Sequence, residues 1–163
     1  MLFILEEGKY ATAGRVKAST SWTQGMWGYL TSEDTTDYDP RWTPVNSYAT
    51  AQYVKGILAP IIAVPFQKDL GDDERETIYA EDSTSWDGKY PSFVRESGVL
   101  LEDTKLADRV LADFTTATPG TKMVLTISGY PTLDGASDDQ GGSSTVVGYF
   151  EEYTGGSVLY RTA

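Results

Sequence analysis

The chain has 163 residues and contains neither cysteine nor histidine. Disulfides, thiolate metal sites, a cysteine nucleophile, a Ser-His-Asp triad and a histidine-bound zinc are thereby excluded, and the commonest general base is missing. With 13 basic against 24 acidic residues the net charge is −11, which repels nucleic-acid phosphates and anionic membranes and favours solubility at high concentration.

Met1–Glu7 opens the chain with no basic segment, and its apolar run is too short for a signal peptide or a membrane span. The longest apolar patch, Ile57–Phe66, is interrupted by two prolines, so no membrane partner is expected and synthesis in a cytoplasm is. Strand-like runs rich in Val, Ile, Tyr, Thr and Trp fall at Leu2–Leu5, Arg15–Ala18, Met26–Leu30, Gln52–Leu58, Pro60–Phe66, Thr77–Ala80 and Gly98–Leu101. They continue at Lys122–Ser128, Thr145–Tyr153 and Ser157–Arg161, with Asp-Gly, Pro-Gly and Gly-Gly turns between them. This pattern predicts a mainly β protein, a small antiparallel β-barrel or sandwich, folded as a single domain over residues 1–163.

Ser32–Ser47 and Lys68–Pro91 are acidic and polar, so residues 31–95 read as a loop-rich insertion with Trp42, Trp86 and Tyr90 as anchors. One helix is expected after Asp103, which would cap it, with Leu106, Val110, Leu111 and Phe114 on one face and Pro119 beyond its end. The best-defined β unit is 98–163. In it Met123–Ile127 forms a strand, Gly129–Ser144 a polar loop, Val146–Phe150 a second strand, and Gly155-Gly156 a turn into Val158–Tyr160.

The chemistry left open is that of carboxylates. Glu151 and Glu152 are neighbours on a strand, where successive side chains face opposite ways, so they are not expected to act as a catalytic pair. The oxygen-rich stretches Ser32–Asp39 and Asp134–Gln140 lack the spacing of a calcium loop. Neither phosphate-binding nor dinucleotide motifs occur. No enzymatic activity, cofactor or metal is expected.

Aromatic residues make up 12% of the chain, and Trp22, Trp27, Tyr38, Trp42, Tyr48, Trp86 and Tyr90 sit in or beside polar, turn-rich segments. Aromatics with one wet end suit protein interfaces and sugar-binding surfaces. The apolar arm Leu2, Phe3, Ile4 and Leu5 is either an edge strand of its own sheet or a strand added to a neighbour.

The stretch Pro119–Leu125, the Gly/Asp-rich segment after it, Val146–Glu151 and Gly155–Arg161 resemble tailed-phage head decoration (cement) proteins, and Gly14–Lys17 is similar to their opening strand. The resemblance implies a β domain on the capsid exterior that binds the major capsid protein, clamps neighbouring subunits and stabilises the head. It also implies a homo-oligomer, a trimer favoured. The partner-binding candidates are then Leu2, Phe3, Ile4, Leu5, Trp22, Trp27, Trp42, Trp86 and Tyr90. A carbohydrate-binding or host-attachment module of a phage fibre is the competing expectation.

Overall fold

A computed structural model describes residues 2–5, 12–13, 22–23, 25–32, 40–45, 56–59, 82–83, 92–94, 97–139 and 145–163. The chain is mainly β. Among the described residues the strands run in the order β1 (Leu2–Ile4), β2 (Thr12–Ala13), β3 (Trp22–Thr23), β4 (Trp27–Ser32), β5 (Pro40–Pro44), β6 (Gly56–Ala59), β7 (Asp82–Ser83) and β8 (Ser92–Val94). After them come β9 (Leu100–Asp103), one helical turn α1 (Leu106–Arg109), β10 (Lys122–Leu125), β11 (Pro131–Leu133), β12 (Gly148–Thr154) and β13 (Ser157–Thr162).

Every pairing is antiparallel. One sheet has the order β1-β9-β13-β12-β10-β11, a second β2-β8-β6-β4-β5, and β3 pairs with β7 alone. Among the described residues β1 and β11 remain the two edges of the six-stranded sheet, so this sheet is not a closed barrel; a sandwich-like arrangement is compatible with the pairing. The arm at Leu2–Ile4 is an edge strand of its own sheet, with Leu2 opposite Asp103 and Ile4 opposite Leu101.

Alternation sets the core. In β13, Val158, Tyr160 and Thr162 are buried, while Ser157, Leu159 and Arg161 lie on the other face. Leu101 and Asp103 do the same in β9. Val158, Tyr160 and Leu101 join Leu2, Met123, Leu125, Val147 and Phe150 of the same sheet side and Trp27, Val45 and Val94 from the five-stranded side in one apolar cluster. A backbone bond ties the two sides: Trp27 N–H donates to Gly129 O (2.8 Å). The β12–β13 hairpin turns on Gly155 and Gly156, both at positive φ (57° and 93°), the backbone that a two-residue hairpin of matching twist requires.

Several expectations are corrected. The helix is a single turn, because Val110 is extended and the Leu111 N–H goes to Asp138 Oδ2 (2.6 Å) instead of to a carbonyl one turn back. Leu111 is consequently 74% exposed, while Leu106, Val110 and Phe114 remain in the core. Asp103 belongs to a strand. Its Oδ1 accepts the Lys105 N–H (2.9 Å), while its position in β9 turns the carboxyl into the interior. The polar stretch Gly129–Ser144 contains β11, which pairs Thr132 with Val124; Thr126 N–H donating to Tyr130 O closes the tight connection. Ser32–Ser47 contains β5, which pairs Leu30 with Trp42 and carries a proline at each end, a residue tolerated on a sheet edge. Asp82–Ser83, within the second polar stretch, pairs with Trp22–Thr23. The expected strands Arg15–Ala18, Pro60–Phe66 and Thr77–Ala80 lie outside the described residues.

Candidate binding surface

The aromatic candidates separate. Trp27 and Trp42 are 7% and 4% exposed, so as described they are core residues and not surface platforms. Their polar sequence neighbours suggested wet turns, but cross-strand pairing of β4 with β5 and β6 brings both indoles inside. Leu2 is wholly buried and Leu5 is 45% exposed. Phe3 stands opposite Glu102, Ile4 opposite Leu101 and Trp22 opposite Ser83. Trp86 and Tyr90 lie outside the described residues.

Two surfaces emerge, of which the sequence singled out Leu5 alone as a binding candidate. The first is a row across the outer face of the six-stranded sheet. Strand register aligns Asp134, Lys122, Tyr149, Arg161, Leu100 and Leu5, one from each successive strand or its end. Tyr149 is 41% exposed, Lys122 and Asp134 are exposed, and Leu100 is half-buried. Arg161 is fixed by Nε–H donating to Glu151 Oε1 (3.1 Å) and Nη1 donating to Gly98 O (2.7 Å). The row thus sets Tyr149, Leu100 and Leu5 beside the strand-borne cations Lys122 and Arg161, with Asp134 at its end.

The second is an open groove of about 380 Å³ between the Phe114–Pro119 turn and the middle of β12, lined by Phe114, Thr115, Phe150, Glu151, Glu152 and Tyr153 among others. It exists because of a β-bulge between Phe150 and Glu152. In a regular strand Phe150 would face the core, Glu151 solvent, Glu152 the core and Tyr153 solvent. Burying Glu152 opposite Val158 without a partner would cost several kcal/mol, of order 3 or more. The bulge absorbs Glu151 and restores the alternation, so Glu152 opposes Leu159 and Tyr153 opposes Val158. Phe150 and Tyr153 then both stack on Phe114, at centroid distances of 5.9 and 6.2 Å. The same bulge corrects the expectation that Glu151 and Glu152 face opposite ways: Glu152 opposes Leu159 and Glu151 bonds Arg161, both on the outer face of the sheet.

The rim is organised by short polar contacts. Asp113 accepts from the Thr115 hydroxyl (2.5 Å) and N–H (3.0 Å), bonds that hold its carboxyl below the ordinary 3.8. Glu152 accepts from the Thr154 hydroxyl at 3.3 Å. Among the described residues no three carboxylates gather in a way that would hold a metal ion, and no helix is long and apolar enough to cross a membrane. No protein-family model matches the chain, and no curated protein or solved structure matches it.

Proposed function

We propose that this chain is a decoration protein of a phage head, which docks on the outer capsid surface and clamps neighbouring major capsid subunits. The observation that carries the proposal is the outer row of the six-stranded sheet, where Leu5, Leu100 and Tyr149 lie exposed or half-exposed in register with Lys122 and Arg161. A solvated sheet face that sets apolar and aromatic side chains beside cations has the composition of a protein-docking surface. The resemblance of Pro119–Arg161 to head decoration proteins supplies the partner, and those residues form β10 to β13 of this same sheet. The partner surface accordingly keeps Leu5, exchanges Trp27 and Trp42 for Leu100, Lys122, Tyr149 and Arg161, and a homo-oligomer on the lattice remains part of the proposal.

The competing sugar-binding role draws less support, since Trp27 and Trp42 lie in the core, where they offer no face to a sugar ring. The test is addition of the purified protein to heads that lack it. Saturable co-sedimentation and a raised temperature of head disruption are expected. Heads that neither bind the protein nor gain heat resistance would retire the proposal.

A further inference from the structure

We infer that the outer face of the six-stranded sheet pairs with the same face of a second copy of this chain, across a two-fold axis. Self-pairing goes beyond the docking role above and does not depend on it: it covers the docking face while no head is present.

Two rows of side chains lie next to each other on this face. The first holds Lys122, Tyr149, Arg161 and Leu100, on β10, β12, β13 and β9. The second is set by the register of Glu152 with Leu159 and of Leu159 with Glu102, on β12, β13 and β9. Leu159 is an outward position of β13, as Arg161 is, and Glu102 is an outward position of β9, as Leu100 is. Along the first row cations alternate with apolar side chains. Along the second, two acids flank an apolar one. The rows are two residues apart along β13 and β9, or about 7 Å.

A two-fold axis lying in the interface, between the rows and parallel to them, lays the first row of each copy on the second row of the other. Lys122 of one copy then comes within about one strand spacing, 4.8 Å, of Glu152 of the second copy, a sideways offset that a lysine side chain spans. Leu159 falls between Tyr149 and Leu100 of the second copy. The relation is reciprocal, so each contact is made twice. Arg161 falls between the two acids of the second copy, but Glu151 (3.1 Å) and Gly98 O (2.7 Å) already hold it. The deciding contact is therefore Lys122 with Glu152. Both are exposed, and neither has an ion-pair partner among the described residues. A partner surface of one sign meets repulsion from one row or the other. A surface that carries the same rows in reverse order meets none, and a second copy of this chain is such a surface. Two rows make a small face, and the net charge of −11 on each copy opposes contact. The pairing is accordingly weak and reversible, with a dissociation constant of about 10–100 μM near physiological salt, and it gives way to a head that engages the same residues.

The test is sedimentation equilibrium on the full chain. Wild type should form dimers. Lys122→Glu and Glu152→Lys should each weaken them about tenfold or more, because each places like charges together at two contacts. Glu152→Lys should do so although it lowers the overall repulsion between copies. An equal mixture of the two variants should recover the wild-type affinity, since unlike charges then meet at both contacts. Both positions are exposed, so the fold is not at risk. Wild type that stays monomeric up to about 1 mM would overturn the inference. So would single variants that dimerise as wild type does or better, or a mixture no tighter than its components. A dimer that ignores heads would retire the docking role alone, and a monomer that docks on heads would retire self-pairing alone.

Discussion

At the scale of single residues, the interior holds polar atoms that the strand pattern puts there. Tyr160 takes an inward position in β13 and is fully buried, and its hydroxyl has no hydrogen-bond partner among the described residues; the Trp27 indole N–H is in the same condition. Burial, and after it the charge of Asp103, push the Tyr160 phenol well above its ordinary 10.0. Gly25 leans on the same carboxyl: at φ +91° a Cβ there would stand 2.6 Å from Asp103 Oδ2, so the position excludes any side chain. A buried hydroxyl that forms no bond costs free energy that its removal recovers. Tyr160→Phe is therefore expected to stabilise the protein by about 1 kcal/mol at neutral pH, read from the urea midpoint. The pH dependence has a definite sign. The folded state keeps the phenol proton above pH 10 while the unfolded state releases it, so the stability tied to this group is complete below pH 10 and falls as pH rises beyond it. Wild type should lose up to about 1.4 kcal/mol more per pH unit than Tyr160→Phe in that range. A variant less stable than wild type at neutral pH would mean that the hydroxyl makes a favourable bond after all.

At the scale of elements, β12 shows a sequence dictating an irregularity. Two glutamates in succession stand between two aromatics, and no regular strand can bury both aromatics and expose both acids. The bulge solves this, and deleting one glutamate should make it unnecessary. Either deletion yields the same chain, in which Phe150 still opposes Tyr160 and Tyr153 still opposes Val158. The loss is then an ion pair whose side chains are 38% and 42% exposed, worth at most about 1 kcal/mol. Thermal unfolding and the aromatic near-ultraviolet spectrum of the deletion variant should stay close to wild type. A loss beyond about 3 kcal/mol would mean that the strand had slipped and buried its remaining glutamate. The C-terminal strands were legible in the sequence for a related reason: Met123–Ile127, Val146–Phe150 and Val158–Tyr160 carry their own apolar pattern, and Gly155-Gly156 marks its turn. The fate of Trp27 and Trp42 was not legible, because it depends on which distant strands pair with β4 and β5. The groove was hidden likewise, since Phe114 meets Phe150 and Tyr153 only once the helix stops after one turn and the bulge forms.

At the scale of the whole molecule, the charge of −11 acts in opposite directions on the two associations proposed here. Copies of the chain repel one another, so assembly into an oligomer works against a long-range penalty that salt relieves. Docking against a cationic partner surface gains from the same field, and salt removes that gain. The Debye length falls from about 10 Å at 0.1 M to about 3 Å at 1 M, so a rise between these salt concentrations screens everything but direct contact. Across that range light scattering should show self-association that holds or strengthens. Kinetic binding to heads should show an association rate about tenfold slower with a nearly unchanged dissociation rate, because steering is lost before the contacts are. The strip of Leu5, Leu100 and Tyr149 sets the limit of this effect, being insensitive to screening. Docking that strengthens with salt would assign the interface to those apolar side chains alone.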